Sequence, residues 1–415
     1  MTSVFIHNFG CRVNQAEAFD WSHRLGEAGI SMARDWHQAD WVVVNACALT
    51  ARAEADVRQF LKKIQRESPG TRILVTGCLA EKTQEELAHN SAVLRVIPNS
   101  LKDNLVAELL ALAGTGQRHQ DRSVFRSRAL VKVQDGCDAH CTFCIIPSLR
   151  GKSRSRPLEQ VVECARAVTE RGYQEIVLAG IHLCAYGLDQ EPQKSLLDLL
   201  QALVAIKDLR MIRLSSLDPR LLPRPLLECL VTEEKICPHF HLSLQHASEP
   251  VLRRMGRKST PAEYLEILNF LRTGRPEASL GADIIVGFPG EEEADFIFLR
   301  DFLRDSPLNY FHVFSFSPRA GTPAAGWKQV PENIRKKRSE ELRRLSREKN
   351  LAFKESFIGR ELAGIVIKKR ETSFEVLTGN YLKVMVEGRP DLRPGQLVRV
   401  VITEVGPVIS RGRVS

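Results

Sequence analysis

Three cysteines in the middle of the 415-residue chain have the spacing of a metal-cluster ligand set. Cys137, Cys141 and Cys144 form a C-x3-C-x2-C pattern within the segment DGCDAHCTFC. Three thiolates can bind three irons of a 4Fe-4S cluster, which leaves the fourth iron without a protein ligand. A metal with an open position is catalytic rather than structural, so the pattern predicts a catalytic cluster. The alternative is a zinc site, for which a ligand set that includes the intervening His140 is sterically awkward.

A second set of cysteines lies in the N-terminal third of the chain. Cys11, Cys47 and Cys78 each follow closely on a short apolar run, and these runs are SVFIHNF, WVVVNA and RILVTG. The runs alternate with helical patterns, which predicts parallel strands. Because the carboxyl ends of parallel strands meet at one edge of a sheet, the three thiols could converge on a second cluster. The alternative is three unrelated core residues, since free cysteine is often buried.

The other four of the ten cysteines have no ligand spacing, and we interpret them as structural: Cys164, Cys184, Cys229 and Cys237. Disulfides are rare in reducing compartments. No apolar run reaches the roughly 20 residues of a membrane-spanning helix. The N-terminus also lacks the basic flank and apolar core of a signal peptide. We therefore expect a cytoplasmic protein that has no membrane partner.

The elements that must position both sets belong to an α/β fold. Residues 1–115 alternate strand and helix signals, which predicts a domain with a parallel α/β sheet. A polar stretch at 114–127 predicts a linker. Six β/α units then run from 128 to 333 and predict a partial (β/α)6 barrel, since a closed barrel needs eight. The predicted barrel strands are 130–134, 175–179, 211–216, 239–245, 282–286 and 310–316. The first strand leads into Cys137, and loops after barrel strands are where such folds place active sites.

The C-terminal part combines a basic segment with short strands. The stretch 334–350 predicts a basic helical linker, and 351–415 holds four β-branched runs that predict a small antiparallel β-barrel of OB-like character. The turns between them are expected at 378–380, 388–390 and 393–395. From 335 to 415 there are 19 Lys and Arg against 10 Asp and Glu, an excess equal to the net charge of +9 of the whole chain. A basic excess at one end of a chain predicts a polyanion-binding surface there.

Longer segments around the cysteines resemble the radical S-adenosylmethionine methylthiotransferase family. In chain order they are FGCRVNQAE, VVNACALTARAEADVRQ, VTGCLAE, VQDGCDAHCTFCIIPSLRGKSRSRP, EIVLAGIHLCAYG, HLSLQHASEPVLRRMGR, ADIIVGFPGE and HVFSFSPRAGTPAA. The C-terminal strands resemble the family's TRAM domain, an RNA-binding barrel. The resemblance implies a transferase in which S-adenosyl-L-methionine binds the open iron and is cleaved to a 5′-deoxyadenosyl radical, which abstracts hydrogen from a C–H bond. It also implies a second 4Fe-4S cluster that supplies or carries sulfur.

The resemblance also assigns roles to individual residues. The radical-forming cluster would be held by Cys137, Cys141 and Cys144, and the auxiliary cluster by Cys11, Cys47 and Cys78. The residues expected near S-adenosyl-L-methionine are Gly180, Asp283, Gly287, Pro289 and Gly290. Ordinary turn chemistry is the alternative for the glycines. The chain departs from the family pattern at His182, Cys184, His246 and Ala247, and these departures concern substrate and cofactor contacts rather than cluster ligands.

The family branches act on isopentenylated adenosine in tRNA, on threonylcarbamoylated adenosine in tRNA, or on an aspartate of a ribosomal protein. The segments CIIPSLRGKSRSRP, AGIHLCAYG and EVLTGNYLKVMVEG are most similar to the threonylcarbamoyl branch. The expected reaction places a methylthio group on C2 of N6-threonylcarbamoyladenosine, next to the anticodon. The alternatives are the isopentenyladenosine-specific enzyme and a non-catalytic iron–sulfur sensor that binds RNA.

The partners that the resemblance implies are tRNA, an external electron donor of the flavodoxin or ferredoxin type, and a sulfur source. Specific RNA recognition usually targets loops whose bases can be splayed out. Tyr381 or Phe374 in the C-terminal strands could stack such a base. For both aromatic residues, packing in the core of a small β-domain is the more common role.

Overall fold

A computed structural model of the chain describes residues 2–114, 127–387 and 391–415. It has an N-terminal α/β sheet, a partial β/α barrel and a C-terminal closed β-barrel, which confirms the predicted fold class. Most of the predicted linker at 114–127 and the predicted turn at 388–390 lie outside the described residues. In the described part of the chain, no helix is long and apolar enough to cross a membrane.

The N-terminal sheet has five parallel strands in the order β2-β1-β3-β4-β5. The strands are β1 Ser3–Asn8, β2 Ser31–Met32, β3 Trp41–Ala46, β4 Arg72–Gly77 and β5 Val93–Ile97. The helices are α1 Arg12–Glu27, α2 Ala51–Glu67, α3 Cys78–Lys82, α4 Gln84–Ala88 and α5 Leu105–Ala113. The central strand β3 is buried at every residue, as expected of a parallel strand covered on both faces. The three apolar runs of the sequence are therefore β1, β3 and β4.

The partial barrel holds six parallel strands, as predicted, and one short antiparallel edge strand. Its strands are β6 Ala129–Asp135, β7 Arg154–Ser155, β8 Glu175–Gly180, β9 Met211–Leu214, β10 His239–Gln245, β11 Ser279–Val286 and β12 Tyr310–Ser315. They form two sheets, β7-β6-β8-β9 and β10-β11-β12, which an isolated parallel bridge between Leu217 and Leu242 connects. The helices are α6 Ile146–Arg150, α7 Leu158–Glu170, α8 Leu196–Val204, α9 Arg224–Thr232, α10 Glu249–Arg254, α11 Pro261–Gly274 and α12 Glu293–Asp305.

Helix α13, Glu332–Glu355, leads from the partial barrel to the C-terminal part and is longer than the predicted basic stretch. It packs on the edge strand β12, where Ser346 Oγ accepts the backbone N–H of Phe311 at 2.8 Å. The C-terminal strands are β13 Glu361–Lys369, β14 Ser373–Thr378, β15 Lys383–Glu387, β16 Leu397–Glu404 and β17 Ser410–Val414. They close in the order β13-β14-β15-β17-β16. All neighbours are antiparallel except β15 and β17, which pair in parallel.

Helix α1 is buried on two faces and joins the N-terminal sheet to the partial barrel. Trp21 and Leu25 belong to the core of the N-terminal sheet. Val13, Ala16 and Phe19 belong instead to the core of the partial barrel. Because Cys11 immediately precedes this helix, the packing of α1 fixes the first cysteine of the N-terminal set relative to the barrel.

Candidate metal centres and barrel lumen

The C-x3-C-x2-C loop begins where barrel strand β6 ends. The backbone N–H of Cys137 donates to the carbonyl of Gly151 at 3.1 Å, and that of Thr142 donates to the carbonyl of Met255 at 3.1 Å. Gly136 has a φ of 71°, and a Cβ built there would lie 1.9 Å from the carbonyl oxygen of Lys152. Only glycine accommodates this conformation and this close approach. The backbone thus holds the loop across the carboxyl end of β6.

Groups around this loop favour the thiolate form of Cys137, whereas burial raises the pKa of Cys144 to about 11. Burial opposes ionisation of Cys137, but His182 Nδ1 lies 3.6 Å from its Sγ and, with a backbone N–H, lowers the pKa of the thiol. Burial also opposes protonation of His182, yet hydrogen bonds to Asp218, at 3.2 Å, and Cys137 raise its pKa to about 9. Arg257 lies 4.0 Å from the Sγ of Cys141. Cationic neighbours stabilise the thiolate, which is the form that binds metal.

The three N-terminal cysteines come together at the carboxyl edge of their sheet. They follow β1, β3 and β4, and a Cβ built at Gly10, next to Cys11, would lie 2.8 Å from the Sγ of Cys47. Burial raises the pKa of Cys47 to about 11. The fold thus places the three cysteines at one edge of the sheet, and their binding of one cluster stays a prediction.

Neither cysteine set has the compact geometry of a preformed zinc site. Around a tetrahedral zinc ion with bonds of about 2.3 Å, sulfur atoms lie about 3.8 Å apart. Within the described ranges, neither set brings all three Sγ atoms within 4.8 Å of one another. The binding of a 4Fe-4S cluster by each set stays a prediction.

Two polar links connect the barrel cysteine loop to the N-terminal cysteines. Arg150, six residues after Cys144, donates to Asn14 Oδ1 at 2.5 Å, and the same oxygen lies 3.4 Å from Cys11 Sγ. The side-chain amide of Asn99 donates to the carbonyl of Leu149 at 2.8 Å and lies 3.7 Å from the Sγ of Cys78. The loop that follows one cysteine set therefore touches residues of the other.

Arg150 is held by buried acidic groups. Its guanidinium pairs with Asp135 at 2.7 Å and with Glu17 of α1 at 3.3 Å. Glu17 also pairs with Lys102 at 2.6 Å. Burial alone would raise the pKa of Glu17, but these cations lower it well below its usual range. The network spans both domains, so removing one charge would leave another unpaired in the interior.

Of the residues predicted near S-adenosyl-L-methionine, Gly180 ends β8, Asp283 lies within β11, and Gly287, Pro289 and Gly290 follow β11. A Cβ at Gly180 would lie 3.0 Å from the Cα of Leu183. Gly287 and Gly290 have positive φ, and a Cβ at these positions would meet Arg335 at 2.1 Å and Arg254 at 1.8 Å. The glycines thus make room for protein side chains. Pro289 is buried beside them. Their contact with S-adenosyl-L-methionine stays a prediction.

The concave face of β10, β11 and β12 forms a polar lumen, which we define by His239, His241, Asp283, Tyr310 and His312. These side chains alternate with residues such as Phe240 and Leu242 that pack under the helices. Asp283 Oδ1 lies 3.0 Å from His241 Nε2 and 3.4 Å from His312 Nδ1. These interactions hold the pKa of Asp283 well below its usual range, although burial opposes this. Asp283 was the only lumen residue in the predicted set.

A signal for the rest of the lumen was present in the sequence but was missed. Two histidines alternate in the strand HFHLSLQ, and a tyrosine and a histidine alternate in YFHVFS. Alternation with apolar residues places all four side chains on the face opposite the core. Gly281, on the strand between, has no side chain, and a Cβ there would lie 2.1 Å from the ring of Tyr310. That space allows Tyr310 to reach His239 Nε2 at 2.8 Å.

A loop of the C-terminal barrel lies against one end of the lumen, and we call residues 378–381 the plug loop. The ring of Tyr381 stacks on His239 with a centroid distance of 4.3 Å. Arg213 donates to the carbonyls of Gly379 and Thr378 at 2.8 and 3.1 Å. Tyr381 therefore lies against the barrel. The other aromatic considered for base stacking, Phe374, is only 2% exposed within the C-terminal core.

Three of the residues that depart from the family pattern have identifiable partners. His182 lies beside Cys137, whereas His246 and Cys184 interact with the backbone near them. His246 is fully buried, and its Nδ1 accepts the backbone N–H of Ser248 at 2.9 Å. Cys184 is buried, and its sulfur accepts the backbone N–H of Asp218 at 3.2 Å. Burial raises the pKa of Cys184 to about 12, so the thiol stays protonated. Both side chains therefore have a hydrogen-bond partner within the fold.

The chain is similar to known proteins over nearly its whole length. The pattern of the uncharacterized protein family UPF0004 matches residues 3–97, and that of the radical SAM superfamily matches residues 131–303. The chain is 36% identical to the threonylcarbamoyladenosine tRNA methylthiotransferase MtaB of Aquifex aeolicus (strain VF5), with 96% of this chain and 100% of the relative covered. It is 34% identical to the ribosomal protein uS12 methylthiotransferase RimO of Moorella thermoacetica (strain ATCC 39073 / JCM 9320), with 87% of each covered.

A solved structure supports the assignment of the fold. The radical S-adenosylmethionine methyltransferase TsrM from Kitasatospora setae, with cobalamin and a 4Fe-4S cluster bound, is similar to this chain with a TM-score of 0.55. The similarity covers 78% of this chain and 77% of that chain, at 12% sequence identity. At this identity the likeness concerns the fold alone.

Proposed function

The chain belongs to the radical S-adenosylmethionine methylthiotransferases, and we propose that it places a methylthio group on C2 of N6-threonylcarbamoyladenosine, next to the anticodon of tRNA. The observation that carries this proposal is the presence of two cysteine sets, linked through Arg150 and Asn14, in a chain that is similar to the tRNA methylthiotransferases over nearly its whole length. Arg12, next to Cys11, also reaches the plug loop beside the lumen.

The cofactors are two 4Fe-4S clusters and S-adenosyl-L-methionine. We assign one cluster to Cys137, Cys141 and Cys144 and the other to Cys11, Cys47 and Cys78. When bound, this set of cofactors supplies a 5′-deoxyadenosyl radical and a methylated sulfur. The chain supplies three thiols for each cluster, the polar lumen and a histidine, His182, that favours the thiolate form of Cys137. Gly180, Asp283, Gly287, Pro289 and Gly290 remain our candidates for contact with S-adenosyl-L-methionine.

The C-terminal barrel supports the choice of an RNA substrate. It follows a basic helix, and exposed residues such as Lys368 and Lys369 lie on its first strand. A basic surface of this kind binds phosphates independently of sequence. Chemistry on a ring carbon requires the base to leave its stack, and an anticodon loop offers such a base. We therefore assign RNA binding to 351–415, as a TRAM-like domain, and catalysis to the partial barrel.

Turnover needs two further partners. Reductive cleavage of S-adenosyl-L-methionine consumes an electron, which we expect from a flavodoxin or ferredoxin in the cytoplasm. The transferred sulfur must also be replaced after each turnover, so we expect a sulfur source that reaches the site of Cys11, Cys47 and Cys78. We expect both partners to bind near the carboxyl ends of the strands, where the cysteines lie.

The substrate assignment is tested by competition among the three substrate classes of the family. The reconstituted, reduced enzyme would be given anticodon stem-loops that carry either threonylcarbamoyladenosine or isopentenyladenosine, and the ribosomal protein uS12. We expect the methylthio product, measured by mass spectrometry, on the threonylcarbamoyl stem-loop. Product on the isopentenyl stem-loop or on uS12 instead would contradict the proposal. Failure to cleave S-adenosyl-L-methionine would favour a non-catalytic sensor.

A further inference from the structure

Three side chains on the concave face of the barrel bring one metal-ligating atom each into close proximity. Asp283 Oδ1 lies 3.0 Å from Nε2 of His241 and 3.4 Å from Nδ1 of His312. The three ligand atoms all lie within 4.8 Å of one another, a geometry that no other such group has among the residues that the structure describes. Two imidazole nitrogens and one carboxylate oxygen form the type of ligand set that catalytic zinc and non-haem iron(II) use.

The register of three strands places these side chains together. Asp283 and His312 are direct partners in the parallel pair of β11 and β12. His241 on β10 is the partner of Gly281, two residues before Asp283. Because alternate residues of a strand share a face and neighbouring strands lie about 4.8 Å apart, all three side chains project from the same face. The candidate ligands are therefore positioned by regular strands rather than by a loop.

Tyr310 supplies the outer hydrogen-bond partner that a metal-binding histidine usually has. Its hydroxyl lies 3.2 Å from Nδ1 of His241 and 2.8 Å from Nε2 of His239. Gly281 leaves the space for this ring, since a Cβ there would lie 2.1 Å from it. A hydrogen bond from Nδ1–H of His241 to the hydroxyl leaves a lone pair on Nε2, which is the atom that faces Asp283.

The direction of the single hydroxyl proton of Tyr310 distinguishes an occupied site from an empty one. Burial is the largest cause that lowers the pKa of His239 well below its usual range, so this ring is neutral. If Tyr310 donates to His239, a neutral His241 donates from Nδ1 and offers Nε2 to an ion. If Tyr310 donates to His241 instead, Nε2 of His241 carries a hydrogen directed at Asp283, and no ion is needed.

The group of three is open on the side of the lumen. The side chain of His241 is buried, whereas those of Asp283 and His312 are 25% and 60% exposed. Burial opposes ionisation of Asp283, but the two histidines hold its pKa well below its usual range. Three protein ligands leave coordination positions of an ion free. These positions would be available to water or to an oxygen atom of a molecule in the lumen.

We propose that His241, Asp283 and His312 bind one divalent transition-metal ion, separate from the iron–sulfur clusters. Two imidazoles and one carboxylate favour such an ion over calcium or magnesium, which prefer oxygen ligands. The ion would also be distinct from those that the cysteine sets bind, because no thiolate belongs to its ligand set. This inference depends neither on the assignment of the RNA substrate nor on that of the cluster ligands.

The test measures the metal content of the full-length protein with reconstituted clusters. After treatment with a chelator, the protein is titrated with manganese(II), an ion that thiolates do not favour, and separately with zinc(II). Electron paramagnetic resonance counts free manganese, and elemental mass spectrometry counts bound zinc. We expect about one ion per chain beyond the cluster iron, with zinc bound more tightly than manganese.

Three variants locate the ion within the lumen. Asp283→Asn keeps the shape of the side chain, and His312→Gln changes an exposed position, so both should fold but lose the bound manganese. Tyr310→Phe should weaken manganese affinity by roughly ten- to a hundred-fold, because His241 loses the partner that orients it. Iron content should stay at the wild-type value in all three variants, since none of them changes a cysteine.

His37→Gln is the matched control for His312→Gln. His37 is also exposed, and it lies 2.7 Å from Asp35 and 3.5 Å from Glu67. However, no choice of one ligand atom from each of these three residues brings them all within 4.8 Å of one another. His37→Gln should therefore bind manganese and zinc as the wild type does.

X-ray absorption at the zinc edge identifies the ligands in the wild-type protein without any substitution. We expect nitrogen and oxygen ligands that include imidazole. Sulfur ligands alone would place the zinc at the cysteine sets and would overturn the proposal. Manganese binding that Asp283→Asn and His312→Gln leave unchanged would also overturn it. So would a wild-type protein that binds neither ion at millimolar concentration, because the two histidines and Asp283 would then only hold one another in place.

Discussion

At the site of Cys11, Cys47 and Cys78, the residues that precede Cys11 and Cys78 must be glycine. Gly10 has a φ of 107°, and a Cβ there would lie 2.7 Å from the Cβ of Cys47. Gly77 has a φ of 98°, and a Cβ there would lie 2.3 Å from the carbonyl oxygen of Ala46. Glycine tolerates both the backbone conformation and the contact. The approach of neighbouring strand ends, which brings the thiols together, therefore depends on these two positions.

Cys47→Ala tests whether Cys47 is a ligand of the auxiliary cluster. We expect about four irons per chain instead of about eight after reconstitution, because the remaining cluster is held by other cysteines. Iron analysis and absorption spectra measure the change. Cys164→Ala is the control and should keep the full iron content. Full iron in Cys47→Ala would refute the N-terminal ligand set.

Gly10→Ala tests the backbone of the same site. The positive φ costs roughly 1–2 kcal/mol in an alanine, and the added methyl group would also displace Cys47. We expect less iron at the auxiliary cluster and a lower Tm. Gly26→Ala is the matched control, because a Cβ at Gly26 meets nothing within 4 Å. Equal iron content in the two variants would show that Gly10 does not shape the cluster site.

At the scale of elements, helix α1 and the plug loop determine how the three parts of the chain fit together. Helix α1 buries one face in the N-terminal sheet and another in the barrel. The plug loop depends on Arg213, whose buried guanidinium pairs with Glu175 and donates to two loop carbonyls. Arg12 of helix α1 and Tyr381 of the plug loop contact each other, so the two elements also meet directly.

Arg213→Met tests the contact between the C-terminal barrel and the partial barrel. Removing one partner of a buried ion pair costs roughly 3–5 kcal/mol, and here two carbonyls also lose their donor. We expect a lower Tm and faster proteolytic release of the C-terminal barrel. Arg399→Met, which breaks an exposed ion pair with Glu361, should leave the Tm and the rate of proteolytic release unchanged. An Arg213→Met variant with the Tm of the wild type would mean that the plug loop is held by other contacts.

The sequence predicted the elements with local signals and missed the contacts between distant parts. The strands before Cys11, Cys47, Cys78 and Cys137 were predicted because each combines an apolar run with a following turn. The lumen was missed because His241, Asp283 and His312 meet only through the register of three strands. Tyr381 was considered for base stacking because nothing local indicates that its loop contacts the barrel. Strand β17 was also missed, since SRGRV has few apolar residues.

At the scale of the whole molecule, charge and chemistry are in different parts of the chain. The basic excess lies after residue 335, whereas both cysteine sets lie before residue 145. A tRNA bound along the C-terminal part would place phosphates there and its modified base in the lumen. The plug loop connects these two regions directly. On the proposed function, the C-terminal part would bind the tRNA backbone independently of sequence, and the lumen would select the modified base.

The affinity for tRNA should depend steeply on salt and on the C-terminal cations. Replacing Lys368 and Lys369 by glutamine should lower the slope of log Kd against log salt by about 1–2, because each lost phosphate contact releases about one counterion fewer. Filter binding at several salt concentrations measures this slope. Lys62→Gln, on the N-terminal helix α2, should leave it unchanged. An unchanged slope in the double variant would place the RNA elsewhere.

The central claim is that the chain converts N6-threonylcarbamoyladenosine in tRNA to its 2-methylthio derivative. The most direct measurement is mass spectrometry of tRNA nucleosides from a strain in which this gene is deleted. We predict loss of the methylthio-threonylcarbamoyl nucleoside, accumulation of its precursor, and restoration by the wild-type gene but not by Cys141→Ala. Loss of the methylthio-isopentenyl nucleoside, with the threonylcarbamoyl derivative retained, would contradict the account.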